Sequence, residues 1–209
     1  MSDYSAKLES RHYVGLSGGG KTSQMLADAT QPAVCRFIFD PSGQMSNRLK
    51  RRAVATARDV ERALPSGWVI FNPHVMFKGQ QDTAFLWFCH WAFEASKRGP
   101  GRKLFLADEI WQYCSAHKIP RELATISQMG RVEGLVLMTA TQVPHKLPDA
   151  IWGQATDVYC FQLVAKLALD YMEQMGCNRK AVATLPPFTY LRFDPRKPTE
   201  FRRGMSPKI

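Results

Sequence analysis

The stretch Arg11–Met25, RHYVGLSGGGKTSQM, decides the fold of this chain. It contains Gly15-Leu16-Ser17-Gly18-Gly19-Gly20-Lys21-Thr22, which has the spacing G-x-x-x-x-G-K-T of a phosphate-binding P-loop. Glycines let successive backbone N–H groups turn inward around phosphate oxygens. The apolar run His12-Tyr13-Val14 precedes the loop and the helical pattern Thr22–Ala29 follows it. The motif therefore stands in the strand–loop–helix context that supports it, and a chance glycine-rich turn is the weaker interpretation.

The residue types of the loop point to a nucleoside triphosphate and its magnesium ion. Lys21 is expected to reach the β- and γ-phosphates, and Thr22 to ligate Mg²⁺ through its hydroxyl. The positive end of the following helix points at the same anion. We expect ATP and Mg²⁺ as the bound groups, with the nucleotide contacts made by Gly15, Ser17, Gly18, Gly19, Gly20, Lys21, Thr22 and Ser23.

Length and composition favour one large, soluble α/β domain. The chain has 209 residues, of which 45% are hydrophobic and 22% charged. We expect a single ATPase domain over residues 1–195 and a basic, extended tail over residues 196–209. No apolar run reaches the ~20 residues that span a bilayer, and the polar N-terminus is no signal peptide. These features predict no integral membrane segment and an intracellular protein, or one used inside a cell and then packaged.

The charge balance predicts a polyanionic partner. The formal net charge is +10 and the isoelectric point about 9.6, which favours nucleic acid, although many basic proteins bind no particular polyanion. The candidate phosphate contacts are the run Arg48–Arg52 and the tail residues Arg196, Lys197, Arg202 and Arg203. The alternative for both groups is a solvated charged face.

The five cysteines predict reduced, mostly buried thiols. They are widely spaced and form no C-x-x-C pair. Cys114 and His117 lie three apart, but no second pair completes a zinc site.

Strand and helix patterns alternate along the chain. Strands are predicted at His12–Val14, Val34–Pro41, Trp68–Phe71, Lys103–Glu109, Leu135–Gln142, Asp157–Val164 and Thr189–Phe193, and helices at Thr22–Ala29, Thr56–Leu64, Asp82–Lys97, Pro120–Met129 and Leu167–Met175. Ser42–Asn47 is predicted as loop, Asp82 as a helix cap, and Trp87 and Trp91 as core residues. The alternation predicts a mostly parallel sheet with helices on both faces, as in P-loop NTPases of the RecA or ASCE type.

A second acidic site follows the strand pattern that begins at Lys103. Asp108-Glu109 stands at its tip, which is the Walker B pattern, and Asp108 would hold Mg²⁺. Glu109 would polarise the water that attacks the γ-phosphate, and a phosphotransferase has no need of that second acid. The pair therefore favours hydrolysis; the alternative for Glu109 is an exposed, helix-capping acid.

A third polar group ends the strand pattern that begins at Leu135. Thr139-Ala140-Thr141-Gln142 places hydroxyls and an amide at the carboxyl edge of the sheet, where ligands bind in open α/β folds. Gln142 is expected to sense the γ-phosphate or to orient the water; the alternative is a hydrogen-bonded loop residue.

Together these motifs resemble the FtsK–HerA superfamily of DNA-pumping ATPases. The resemblance comprises the P-loop, the strand ending in Asp108-Glu109, and Gly130-Arg131 leading through Gly134-Leu135 to Ala140-Thr141-Gln142. It extends over Leu147–Trp152 and Asp157–Phe161, and so over most of the chain. In its compact size the chain is similar to the small genome-packaging ATPases of tailless, membrane-containing viruses. A near neighbour is the filamentous-phage assembly ATPase of the zonula-occludens-toxin type.

The resemblance implies a ring-forming motor that pumps double-stranded DNA into a preformed capsid. A hexamer is the favoured ring, the implied partners are viral capsid or membrane vertex proteins, and the implied location is the host cytoplasm and the virion. A trans-acting arginine is implied as well; Arg131 is the first candidate because it lies in the matching Gly-Arg pair, and Arg121 is the second. The alternative for either is a surface salt bridge.

Other readings of the same residues remain open. A small P-loop nucleotide kinase has about this size, and Arg48–Arg52 offers it a candidate lid, although Asp108-Glu109 and Gln142 argue against it. A phage-type assembly or export ATPase and a non-enzymatic, nucleotide-dependent scaffold are further alternatives. Steady ATP turnover stimulated by DNA distinguishes the translocase from the kinase and the scaffold.

Overall fold

A single mixed β-sheet forms the centre of the molecule. The computed structural model describes residues 10–197 and 200–208. Within them, eight strands form one sheet in the order β3-β2-β4-β5-β1-β6-β7-β8. The strands are β1 Ser10–Val14, β2 Cys35–Phe39, β3 Trp68–Phe71, β4 Lys103–Ala107, β5 Leu135–Thr141, β6 Ala155–Phe161, β7 Thr189–Phe193 and β8 Arg202–Met205.

Strand direction divides the sheet into two parts. In sheet order, the six strands from β3 through β2, β4, β5 and β1 to β6 run parallel to one another. The pairs β6–β7 and β7–β8 are antiparallel. The six parallel strands are nearly continuous runs of buried residues, as expected for a sheet that is covered on both faces. The predicted α/β class is confirmed.

Helices cover both faces of the sheet. They are α1 Lys21–Ala29, α2 Gln44–Leu49, α3 Ala57–Ala63, α4 Gln81–Ser96, α5 Arg121–Met129, α6 Asp149–Trp152, α7 Lys166–Gln174 and α8 Arg179–Ala183. On one face α1 and α2 bury Met25, Leu26 and Met45 against the sheet. The opposite face is covered by the remaining helices and has the larger, more aromatic core. In that core, Phe88 of α4 lies between Phe71 and Phe105, with ring centroids 5.2 and 5.7 Å away.

The prediction of a loop over Ser42–Asn47 was wrong. Residues Gln44–Leu49 form α2, because the buried carboxylate of Asp40 accepts hydrogen bonds from the backbone N–H groups of Met45 and Ser46, at 3.2 and 2.8 Å. A carboxylate at the positive end of a helix stabilises a segment whose own pattern is weak. The cap predicted at Asp82 was also wrong, since Gln80 precedes the helix and Asp82 lies in its first turn.

The core predictions for tryptophan and cysteine were correct. Trp91 is buried in the aromatic face and Trp87 packs against it, with ring centroids 6.4 Å apart. Cys35, Cys89, Cys160 and Cys177 are buried and Cys114 is half-buried.

The C-terminal region contributes more structure than its sequence indicated. Part of the segment expected to be an extended tail, Arg202–Met205, is the edge strand β8 and pairs with β7. Residues 1–9 of the expected ATPase domain, and residues 198, 199 and 209 of the expected tail, lie outside the described residues. In the part of the chain that is described, no helix is both long enough and apolar enough to cross a bilayer.

Candidate functional site

The carboxyl ends of β1, β4 and β5 bring three predicted motifs together. The P-loop leaves β1 after Val14, Asp108-Glu109 follows β4, and Gln142 follows β5. Because β5 lies between β4 and β1 in the sheet and the three strands are parallel, their carboxyl ends meet at one edge. The site is thus assembled from segments that are far apart in sequence and joined only by the parallel sheet.

The P-loop packs tightly against the ends of β5 and β6. The N–H of Gly15 donates to the carbonyl of Thr141 at 3.2 Å, and that of Leu16 donates to the carbonyl of Gln162 at 2.9 Å. Gly20, at φ +108°, precedes α1, and a Cβ there would lie 3.1 Å from the rings of Phe161 and Phe188. The motif therefore needs glycine at this position for backbone conformation and for space.

Lys21 is almost fully buried, with 5% of its surface exposed. Its Nζ donates to the carbonyl of Leu16 at 2.9 Å and lies 3.9 Å from Oε1 of Glu109. Burial lowers the pKa of Lys21, and the neighbouring carboxylates of Glu109 and Asp108 oppose that shift. A buried ammonium that faces the P-loop is placed to pair with phosphate oxygens.

Thr22 and Asp108 form the pair expected to hold the metal ion. The hydroxyl of Thr22 donates to Oδ2 of Asp108 at 2.6 Å. Burial raises the pKa of Asp108, although the bond from Thr22 and the charge of Lys21 oppose the rise. One hydroxyl and one carboxylate at this spacing fit Mg²⁺, which takes few protein oxygens and keeps several waters.

Glu109 has a strained backbone and a side chain held from several directions. Its φ of +46° lies in the left-handed region, where such strain persists only if the surroundings enforce it. Its carboxylate accepts hydrogen bonds from the indole N–H of Trp111 at 2.7 Å and from the side-chain amide and backbone N–H of Gln142 at 2.8 and 3.2 Å. The side chain does not cap the turn that follows it, which was the alternative interpretation.

Gln142 connects the end of β5 to the acidic pair. It is exposed, and both bonds that it donates end on Glu109. The amide therefore lies beside the carboxylate expected to activate water.

Two contacts at the P-loop were not apparent from the sequence. Arg48 of α2 donates from Nη1 to the hydroxyl of Ser23 at 3.1 Å, so a residue assigned only to a basic run reaches the first turn of α1. The C-terminal segment also binds the loop: Phe188 donates its N–H to the carbonyl of Gly19 at 3.0 Å, and the hydroxyl of Ser206 donates to the carbonyl of Gly20 at 3.1 Å. No local sequence signal indicates either contact.

The candidate trans-acting arginines lie away from the chain's own P-loop. Arg131 is in the short 3₁₀ turn Gly130–Glu133, directly before the amino end of β5. It faces a cavity of about 540 Å³ at that edge, together with Lys97, Arg98, Arg102 and Glu133. Arg121 is the exposed first residue of α5, beside Glu122. The structure does not bring Arg131 together with the other predicted site residues, and its role stays a prediction.

The basic residues expected to contact DNA are exposed, but some of them already have partners. Arg51 stacks on Trp68, with its guanidinium carbon 4.2 Å from the ring centroid, and Arg196 binds Asp194 at 2.6 Å. Lys50 and Arg52 are exposed, as are Arg202 and Arg203 on β8.

Comparison with solved structures shows which fold this is. The chain is similar to the genome packaging NTPase B204 of Sulfolobus turreted icosahedral virus 2 in its complex with AMPPCP, with a TM-score of 0.73 and 16% identity over 96% of this chain and 98% of that one. It is also similar to VirB4 of Thermoanaerobacter pseudethanolicus, with a TM-score of 0.66 and 11% identity over 96% and 90% of the two chains. A third similar structure is EccC of Thermomonospora curvata, with a TM-score of 0.62 and 12% identity, covering 99% of this chain and 37% of that one.

Sequence comparison adds no relative to these. No protein-family model matches the chain, and no curated protein matches its sequence. At these identities the similarity establishes the fold alone: the predicted P-loop NTPase architecture is confirmed.

Proposed function

We propose that this protein is an ATP-hydrolysing motor that translocates double-stranded DNA, most specifically a viral genome-packaging ATPase. The observation that carries the proposal is the contact of Glu109 with Lys21 and Gln142 beside the pair Thr22–Asp108. Thr22 and Gln142 donate hydrogen bonds to the two carboxylates, and Lys21 lies at ion-pair distance from Glu109. The P-loop, the candidate metal ligands and the candidate water-activating acid are therefore grouped as nucleoside triphosphate hydrolysis requires.

Each residue has a distinct proposed part in hydrolysis. Lys21 and the N–H groups at the start of α1 hold the β- and γ-phosphates, and Thr22 and Asp108 hold Mg²⁺, which would neutralise phosphate charge when bound. Glu109, oriented by Gln142 and by the indole of Trp111, accepts the proton of the attacking water. The strained backbone of Glu109 fixes the direction of its carboxylate, which supports a catalytic rather than a capping role.

The edges of the sheet support a head-to-tail ring. The carboxyl edge has a cavity of about 460 Å³ lined by Asp108 and Glu109. The cavity at the amino edge is lined by Glu133 and by four cationic side chains, of which Lys97 and Arg98 pair with Glu94 and Glu61, so that Arg102 and Arg131 carry its positive charge. Opposite charges on opposite edges favour repeated contact between the amino edge of one copy and the carboxyl edge of the next, and such contacts close into a ring. Arg131 would then approach a neighbour's γ-phosphate.

An export or assembly ATPase is the second candidate function. The similarity to VirB4 supports it, because that chain too is matched over nearly its full length. The kinase alternative is weaker, since a phosphotransferase must exclude the water that Glu109 is placed to activate.

The test is the ATPase rate with and without duplex DNA, with Lys21→Ala as the control for contaminating activity. We expect turnover that duplex DNA stimulates, and DNA binding that weakens steeply with salt, by a slope of about −0.9 per phosphate contact. The double variants Lys50→Gln/Arg52→Gln and Arg202→Gln/Arg203→Gln should reduce that slope, whereas Arg98→Gln, whose guanidinium binds Glu61 at 2.5 Å, should not. An ATPase rate that duplex DNA does not change, with no salt-dependent DNA binding, would favour the export ATPase. An ATPase rate no higher than that of Lys21→Ala would refute hydrolysis.

A further inference from the structure

The segment after α8 places an aromatic ring beside the phosphate-binding loop. Phe188 precedes β7 and is half-buried, and a Cβ built on Gly20 would lie 3.1 Å from its Cδ1. The carbonyl of Phe188 accepts a hydrogen bond from the N–H of Ser206 at 2.7 Å, and its N–H donates to Gly19. Hydrogen bonds therefore fix the backbone of Phe188 on both sides of its Cα atom.

The backbone of Phe188 is unusual for an aromatic residue. Its φ of +62° lies in the left-handed region that favours glycine, and a bulky residue there is strained. The bonds to Gly19 and Ser206 hold this conformation in place. A strained residue that a loop enforces next to a ligand site suggests a use for the side chain.

A lysine ammonium group also lies near the ring of Phe188. Nζ of Lys208 lies 5.7 Å from the ring centroid, within the range of a cation–π contact. The half-buried ring therefore faces the end of the chain, where the flexible side chain of Lys208 lies over it.

The site geometry fixes the direction in which a nucleotide must lie. Glu109 and Asp108 follow β4, on one side of the P-loop, so the γ-phosphate must point toward that side for water to attack it. The nucleoside then extends the opposite way, toward β6 and β7, where Phe188 stands against Gly20.

From this arrangement we infer that Phe188, with the segment Ser206–Lys208, is the platform on which the nucleobase stacks. The inference rests on the proposed nucleotide function and adds to it the recognition of the base. Stacking on an aromatic ring tolerates any base, because every base has a π-face. We therefore expect ADP and GDP to bind within about tenfold of each other.

The test compares ligands with and without a base, using the full chain. Binding of Mg–ADP and of Mg–pyrophosphate is measured by calorimetry for wild type, Phe188→Leu, Phe188→Tyr and Phe201→Leu. Phe201 is a matched control, because its ring packs on Phe193 at 5.3 Å, in the same C-terminal region, and the replacement is the same. We expect Phe188→Leu to lose about tenfold in ADP affinity with pyrophosphate affinity unchanged, and Phe188→Tyr and Phe201→Leu to resemble wild type.

The results distinguish a failure of this inference from a failure of the proposed function. If Phe188→Leu loses ADP and pyrophosphate affinity equally, the ring only shapes the P-loop; if it loses neither, no base stacks there. Either result overturns the platform and leaves the phosphate site standing, as does a preference for adenine over guanine well above tenfold. A wild-type protein that binds neither ligand overturns both.

Discussion

The two edges of the parallel sheet use polar side chains in opposite ways. At the carboxyl edge Lys21, Thr22, Asp108, Glu109 and Gln142 form one hydrogen-bonded and charge-paired group. At the amino edge Lys103, 4% exposed, donates to the carbonyls of Gly99 at 2.5 Å and Glu133 at 2.9 Å, so a buried cation there ties two loops together. Similar side chains therefore build a candidate reaction site at one edge and hold backbone at the other.

The difference follows from what each edge offers. At the carboxyl edge the polar groups bond mainly to one another, with Thr22 on Asp108 and Gln142 on Glu109, so a ligand can exchange these partners. At the amino edge the partners of Lys103 are backbone carbonyl groups of two loops. These loops touch each other where Gly134, which follows the turn that contains Arg131, packs against Gly101. We expect substitutions at the first edge to change chemistry and those at the second to change assembly or stability.

The largest effect is expected at the carboxyl edge. Lys21→Ala should lower the rate of hydrolysis by more than about 10⁴-fold, because both phosphate binding and charge stabilisation are lost.

Glu109→Gln should lower turnover by at least about 10³-fold while ATP binding persists, since Thr22 and Asp108 still hold the metal ion. Turnover and nucleotide affinity are measured in parallel; a Glu109→Gln protein that hydrolyses ATP at the wild-type rate would disprove the role of that carboxylate.

An intermediate effect is expected from removing Arg131, which we propose joins the amino edge of one copy to the carboxyl edge of the next. Arg131→Ala should lower turnover by roughly 10³-fold if this arginine completes a neighbour's site, with nucleotide affinity unchanged. Mixed with Glu109→Gln subunits it should recover activity, because about a quarter of the head-to-tail interfaces in a random 1:1 ring pair an intact Glu109 with an intact Arg131. The measurement is the ATPase rate of the co-assembled mixture, verified by mass.

The mixing experiment has two clear contrary results. A mixture as inactive as both parents, despite verified co-assembly, would remove Arg131 from the site, and so would a strictly monomeric protein that hydrolyses ATP at full rate. Arg121 would then be tested by the same design.

The smallest effect is expected from glycine at the amino edge. Gly134 has φ +71°, and a Cβ there would lie 2.4 Å from the carbonyl oxygen of Gly101. Gly134→Ala should lower the free energy of unfolding by about 2–3 kcal/mol, from backbone strain and the forced shift of Gly101. ADP affinity should not change, because the site is at the other edge.

Gly79→Ala is the matched control, since Gly79 has the same φ of +71° and nothing within 4 Å of the added Cβ. It should cost only about 1 kcal/mol. Both values come from urea unfolding, and equal losses in the two variants would mean that the contact with Gly101 is not rigid.

The strands and the longer helices were predictable because their patterns are local. The strand β2 and the helix α4 each have the composition of a buried element, and both were predicted within a few residues of their bounds. The short helices α2, α6 and α8 were missed, because four to six residues carry too little periodicity. For α2 the deciding contact comes from Asp40, which lies outside the helix.

Most residues of the candidate site were indicated by the sequence, but Trp111 was not, and Arg131 lies at the other edge. The P-loop and the acidic pair were identified from spacing alone, and both lie at the carboxyl edge. The contacts of Arg48 with Ser23 and of Phe188 with Gly19 were not predictable, since they join segments separated by 25 residues or more. Neither pair has a sequence pattern, because a contact across a fold depends on where both backbones run.

The sequence by itself determined that this chain has a phosphate-binding loop between a buried strand and a helix, and that acids end a second buried strand. Those features follow from glycine spacing and from runs of apolar residues, which act over a few positions. Only the tertiary structure decided that Gln142 donates to Glu109, that Arg131 lies at the opposite edge from Lys21, and that the C-terminal segment holds Phe188 beside the loop. The reason is that strand order places distant chain ends side by side, and the order is set by packing of the whole sheet.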